Sequence, residues 1–381
     1  MSTFSNHHLD QAVDHYAFLI DPTAKEYEAY LEGEYKHNMK ERWASWKDHY
    51  LRMREAFRDC LMTVIEERNL YRRDMNIAII GPGFSPIGHD FGEDDVGPIL
   101  RRLNSIVLCD ISQRVCTSAR DEFIAAAVPP PMIHAMQYDI TNGLSTVCKQ
   151  VIGAKLAGIG TEEKLSAFTD HLEGLEVGEL ENQILDETAK IPHIRRPSLL
   201  EGGENVERTW KLTVEGKPLP LDVVSYQMVL AGTLAHVMQN FRDRFEEITS
   251  VEDQNPGKAT EQARLAMFER MHNFLAKCNT QIAIRSIRKV LEDNPSATVL
   301  GITDVSTVYQ RPRFGRLPQI DEIRLKHELA HPEDDPQAQG VPPIVTRALN
   351  AWSWFDEPEH HHEVNHMEFE VMKEPPKNGH A

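Results

Sequence analysis

The 381-residue chain predicts an α/β fold: a seven-stranded, mostly parallel, doubly wound sheet with a closing antiparallel hairpin. Three observations predict it. Short, continuously apolar runs rich in β-branched residues alternate with helical stretches, the pattern of strands buried on both faces. The first four of those runs end on glycine or on polar residues, where an open parallel sheet binds its ligands. Near the C-terminus the rhythm changes: Met367, Phe369 and Val371 alternate with Glu368 and Glu370, as in a half-exposed strand.

The elements follow in order. Residues 1–72 predict an N-terminal helical cap, with a short helix near residues 21–35 capped by Asp21 or Thr23. A longer helix follows, in which Trp43, Trp46, Tyr50, Met53, Phe57, Met62 and Ile65 recur at three- and four-residue steps. From residue 73 on, "MNIAIIG" (75–81), "SIVLCDIS" (105–112) and "PMIHAMQYDIT" (131–141) read as three strands, with helices "VGPILRRLN" and "QRVCTSARDEFIAAA" between them. An insertion at about 145–218 predicts helices over 161–175 and 177–191 and a strand-like "RTWKLTVEG". The fourth strand is "LDVVSYQMVLAG" (221–232), and the helices "TLAHVMQNFRDRF" and "TQIAIRSIRKVLEDN" lead to a fifth, "ATVLGITDVS" (297–306). Residues 311–345, with several prolines, read as loop-rich, and "NAWSWFDE" with "EVNHMEFEVMKE" as the closing hairpin.

Bulk properties narrow the function. The chain has 41 Lys and Arg against 59 Asp and Glu, a formal charge of −18, which repels phosphate backbones and anionic membranes. No apolar run reaches the roughly 18–20 residues of a membrane span, and the start has no secretory signal pattern. The five cysteines are scattered without a CxxC pair, which suits reduced thiols. A cytoplasmic protein without nucleic-acid or membrane partners is the expectation.

The strand ends carry the chemistry. Gly81 and Gly83 follow the first strand, where a missing Cβ permits positive φ or close approach of a ligand. Asp110 closes the second, with a carboxylate able to take both ribose hydroxyls. Asp139 closes the third, placed to meet an adenine amino group, and Ser225-Tyr226-Gln227 close the fourth. A dinucleotide fingerprint would need a third glycine where Pro86 stands, and no P-loop lysine follows. An adenosyl ligand without phosphates fits better. Each position also has a structural reading: Asp-Ile-Thr suits a turn, and the fourth strand end can simply cap a helix.

In this order "AIIGPGFS", "IVLCDIS", "QYDIT" and "DVVSYQMVLAGTL" resemble the first four motifs of the class I S-adenosylmethionine-dependent methyltransferase family, and the closing hairpin is similar to its antiparallel last strands. The resemblance covers roughly residues 72–145, 218–306 and 350–374; the delayed helix after "FSPIGHDFGEDDVGP" departs from it. It implies S-adenosylmethionine as donor and S-adenosylhomocysteine as product. The donor would be held by Gly81, Pro82, Gly83, Phe84 and Ser85, by Asp110 and Ile111, by Asp139 and Ile140, and by Ser225. Tyr226 and Gln227 would face the methyl group and orient a small-molecule acceptor, methylated on N or O. The helices outside the resemblance would enclose the site and allow a homodimer.

Rival readings remain. The same pocket could direct attack to the aminocarboxypropyl carbon, releasing methylthioadenosine, or bind the donor without catalysis. "HELAH" (327–331) and "HEVNH" (362–366) match the H-E-x-x-H zinc pattern, which makes a zinc hydrolase a third alternative. Pro332 stops the first at once, and in a strand the two histidines of the second lie about 13 Å apart. Among 18 histidines such matches arise by chance, so no metal ligand is assigned, and "HHH" at 360–362 reads as a solvated turn. Arg195, Arg196, Arg311, Arg313 and Arg316 could grip an anionic acceptor or form surface ion pairs. Tyr16, Tyr27, Tyr30 and Tyr35 could line a lid.

Overall fold

The computed structural model describes residues 43–70, 74–82, 97–141, 144–175, 212–214, 217–232, 234–252, 258–309, 316–335, 338, 340–357 and 360–372. The helices expected over 21–35 and 177–191, the four lid tyrosines, and Arg195, Arg196, Arg311 and Arg313 lie outside these residues.

Helix α1 (Trp43–Glu67) leads to β1 (Met75–Ile80), the short α2 (Gly97–Leu100), β2 (Leu103–Asp110), α3 (Gln113–Ala125) and β3 (Ile133–Gln137). Then come α4 (Leu144–Ala157), α5 (Glu162–Gly174), β4 (Leu212–Val214), β5 (Lys217–Leu219) and β6 (Val223–Gln227). Helices α6 (Ala235–Glu252) and α7 (Lys258–Asp293) precede β7 (Thr298–Tyr309), β8 (Arg316–Pro318), α8 (Glu322–Ala330), β9 (Ile344–Glu357) and β10 (His360–Val371).

The protein is α/β, with a mostly parallel sheet in the order β3-β2-β1-β6-β7-β10-β9 and β8 added on β7. Strands β3, β2, β1, β6 and β7 are mutually parallel. Only β10 and β8 run against them; β9, antiparallel to β10, runs with the body of the sheet. The hairpin β4–β5 stands apart as a two-stranded sheet. Every residue of β1 and β6 is buried, which is why both read as unbroken apolar or small-polar runs.

Two layers cover the sheet. Helix α1 presents Met53, Ala56, Phe57, Cys60 and Val64 at helical spacing to Ile77, Ile79, Leu300, Ile302 and Trp352, and Phe123 of α3 joins them. The described part of the N-terminal region is therefore a layer of the sandwich itself. On the opposite face Ala283, Ile284, Ile287 and Leu291 of α7 and Leu325 of α8 pack on Ala78, Val107, Val224 and Phe369.

A third cluster unites α4, α5, α6 and the first half of α7 through Leu156, Leu165, Phe241, Met271 and Phe274. Helix α7 runs 36 residues, about 54 Å at helical rise, far beyond the 280–294 expected from sequence. Its apolar stripe changes partner midway, from the helical cluster to the sheet, and no single periodicity spans both. The cap thus comes partly from the expected insertion and partly from helices that follow β6. Gly153, inside α4, lies where a Cβ would stand 3.1 Å from Asn240 Nδ2 of α6.

Other boundaries differ. The residues expected as a solvated turn, His360–His362, are the start of β10 and pair with Tyr309, Val308 and Thr307. The "loop-rich" stretch contains β8 and α8. Among the described residues no helix is long and apolar enough to cross a membrane.

Candidate functional site at the carboxyl edge of the sheet

Strand order reverses at β1, which has β2 on one side and β6 on the other. The turn that leaves β1 is fixed by its neighbours. Gly81 N–H donates to Cys109 O of β2 at 2.8 Å. Its φ is +71°, and a Cβ there would lie 2.2 Å from Val229 Cγ1 and 2.9 Å from Gln227 O. The glycine is thus required by the end of β6 and the residue two beyond it pressing on it. Pro82 is buried, and Gly83, Phe84 and Ser85 lie outside the described residues.

The next two strand ends lie beside this turn. Asp110 is buried at the tip of β2, and its Oδ1 accepts the Ser112 N–H at 3.0 Å. Ser112 in turn caps α3 by accepting the Val115 N–H. Tyr138 N–H donates to Asp110 O at 2.7 Å, which ties the end of β3 to the end of β2. Asp139 is also buried, and its Oδ1 accepts both the N–H and the Oγ1–H of Thr141 at 2.8 Å. Ile111 and Ile140 are partly buried against the helical cap, so the cap sits over these two strand ends.

At the tip of β6 the two neighbours expected to face the methyl group separate. Tyr226 is fully buried with its hydroxyl 2.6 Å from Ser286 Oγ of α7, and burial pushes the phenol well above its ordinary range. Its side chain belongs to the core between sheet and α7, which corrects the expectation that it orients an acceptor. Ser225 and Gln227 project to the other face, by strand alternation. Gln227 is 3% exposed; its Nε2 donates to Ser225 Oγ at 3.4 Å, while its Oε1 has no hydrogen-bond partner among the described residues. A buried carbonyl left without a donor costs about 1–3 kcal/mol. The next residue, Met228, adopts φ +58° and donates its N–H to Ile302 O at 2.7 Å. An L-residue with a side chain pays for that conformation, and such strain collects at functional turns.

Beyond its last pair with β6, Gln227 with Ile302, β7 continues from Thr303 to Tyr309 as a wall flanked by β8 and β10. This wall is polar. His362 Nδ1 lies 3.5 Å from Asp304 Oδ2 and 3.4 Å from Thr307 Oγ1. Gln319 Nε2 donates to Thr307 Oγ1 at 2.8 Å and lies 3.4 Å from His272 Nδ1 of α7. His49 of α1 accepts the Trp352 indole N–H at 2.9 Å. Burial, followed by the nearby charge of His362, lowers the His49 pKa to about 3. Burial, then Arg242, lowers that of His272 to about 3 as well. Apart from His362, weighed only within the HEVNH and HHH patterns, none of these residues stood out as a site candidate in the sequence. The signal was available in "TDVST", polar residues prolonging a buried strand, and in the histidine run opposite them.

The zinc motifs dissolve into other contacts. Glu328 is paired with Arg324, and its carbonyl accepts from Arg288. His331 ends α8 and meets Glu333 at 3.2 Å. Among the described residues no group of three or more His, Cys, Asp or Glu could hold a metal ion. Arg316 is held by Glu363 at 2.7 Å and by Ser306 Oγ at 3.0 Å.

One edge therefore gathers two buried acids, whose neighbours Ile111 and Ile140 meet a helical cover, beside a glycine turn and a buried amide acceptor. The two acids can accept hydroxyl or amino hydrogens, such as the sugar and base of a nucleoside offer. The sequence matches no family model, and no curated protein matches it.

Proposed function

We propose that the chain is an S-adenosylmethionine-dependent transferase that methylates N or O of a small polar acceptor and releases S-adenosylhomocysteine. One observation carries the reading. Gly81, Asp110 and Asp139 come from three distant segments, yet backbone hydrogen bonds join their turns side by side at the reversal of strand order. Ligands in open parallel sheets bind at that place.

The bound donor supplies an electrophilic methyl group on sulfur. This chain's part is to hold the adenosyl moiety, seat the acceptor at attack distance and exclude water. The cover formed by α4–α7 over Ile111 and Ile140 supports a small acceptor, as does the formal charge of −18.

Calorimetry with S-adenosylmethionine and S-adenosylhomocysteine tests the reading. The expected result is micromolar-range binding that weakens at least about tenfold, roughly 1.4 kcal/mol, in Asp110→Ala. A thermal melt checks that the variant is folded. Unchanged affinity in a folded Asp110→Ala removes that residue from the ribose role, and no binding by the wild type ends the proposal.

A further inference from the structure

We propose that the chain dimerises through β9: the outer edge of this strand pairs antiparallel with β9 of a second copy, joining the two sheets into one. This pairing is independent of what the carboxyl edge binds. Strand β9 (Ile344–Glu357) is the last strand of the sheet, and among the described residues no strand pairs with its side away from β10. It runs 14 residues, about 46 Å at strand rise, and so offers a long row of backbone donors and acceptors. Edges of monomers are usually kept short or guarded by lysine and proline. "IVTRALNAWSWFDE" contains neither. Its guard is one bulge at Leu349, between Ala348 opposite Met367 and Asn350 opposite His366.

The surroundings of this edge suit a second copy of the same chain. Residues 347–351 are all exposed, and α8 packs beside β9 with Ile323 84% exposed. Glu322 holds this end of α8 to β10 by accepting the Asn365 Nδ2–H at 2.6 Å, and Asn365 stands opposite Ala351. Leu349 and Ala351 flank the middle of the strand, so a two-fold axis there brings the same apolar patch of each copy together, as an isologous dimer requires. Charge sets the direction. Arg347, more than half exposed, stands near the start of β9, and the sequence of the strand closes on Asp356 and Glu357. Antiparallel copies bring the basic start of each strand toward the acidic end of the other; parallel copies would set like charges side by side. Because β9 runs with the body of the sheet, this pairing points the two carboxyl edges in opposite directions.

Sedimentation of the full chain tests the dimer. At micromolar concentration the wild type should run at twice the 43.5 kDa chain mass and dissociate on dilution. Ala351→Lys sets like charges near the axis at an exposed position, and should weaken the dimer at least about tenfold. Arg347→Glu should weaken it as well, and adding Asp356→Lys with Glu357→Lys should restore it. Thermal melts check that each variant is folded, and hydrogen exchange over residues 344–357 should quicken on dilution. The proposal is overturned by a monomeric wild type, including one whose β9 edge captures some other extended chain. A dimer indifferent to Ala351→Lys, a triple variant that stays dissociated, or β9 exchange that is the same in monomer and dimer also overturns it.

Discussion

Gly81 and Val229 compete for the same space: a Cβ on the glycine would lie 2.2 Å from Val229 Cγ1. The glycine that looked like a mark of ligand approach is thus explained first by the chain's own packing. Gly81→Ala should destabilise the protein by about 2–4 kcal/mol, combining left-handed strain with overpacking. Adding Val229→Ala should recover part of the loss, because φ +71° and the Gln227 carbonyl at 2.9 Å remain. Urea unfolding of the two variants measures both effects. A Gly81→Ala protein of wild-type stability that no longer binds S-adenosylhomocysteine would return the glycine to the ligand.

Tyr226→Phe separates a packing role from a catalytic one. The hydroxyl lies 2.6 Å from Ser286 Oγ within a fully buried cluster, so its removal leaves Ser286 without that partner. The expected cost is about 1–2 kcal/mol of stability, with S-adenosylhomocysteine affinity unchanged within about twofold. A loss of affinity without a loss of stability would restore Tyr226 to the site.

How much of this was legible depends on what each residue faces. Strands β1, β2, β6 and β7 were readable because burial on both faces leaves continuous apolar runs, and the glycine after β1 and the polar residues closing β2 and β6 marked the edge. The sidedness of Tyr226 and Gln227 was not readable for the same reason. Where both faces are buried, no polar alternation says which side chain points where, and register decides it. Helix α7 hid its length because Met271 and Phe274 answer to the cap while Ile284 and Ile287 answer to the sheet. The β10 histidines hid because only pairing with Thr307 and its neighbours makes them a strand.

None of the five cysteines forms a disulfide, and all are buried. Burial, aided by nearby acids, pushes the Cys60 thiol well above its ordinary value; burial does the same at Cys109 and Cys116. Thiolate, not thiol, attacks disulfide reagents. Native protein at pH 8 should therefore titrate no thiol with Ellman's reagent on a time scale of minutes, and five in guanidinium. A fast native thiol would mean that a core cysteine has access to solvent, contrary to this packing.

Acid should weaken the fold through histidines held neutral. Burial lowers the pKa of His49 and of His272 to about 3 and of His366 to about 4, all from 6.5. Between those values and 6.5 the unfolded chain binds more protons than the folded one. Stability therefore falls as pH drops below about 6.5, by up to roughly 1.4 kcal/mol per pH unit for each such group. Glu122 works in the opposite direction: burial raises its pKa to about 7, so it favours the folded state as pH falls below that value. His366 is the informative member. It is 2% exposed, neither ring nitrogen has a hydrogen-bond partner among the described residues, and Glu368 Oε1 stands 3.9 Å from Nε2. Burial outweighs the opposing pull of the Asp59 carboxylate, and the imidazole stays neutral. His366→Leu removes an unsatisfied buried ring, so it should raise stability at pH 7.5 by about 1 kcal/mol. The same variant should flatten the acid limb of stability against pH between 6.5 and about 4. An unchanged acid limb would mean that His366 is protonated in the folded state and paired with Glu368, which would make that strand pair a charged contact beneath α1.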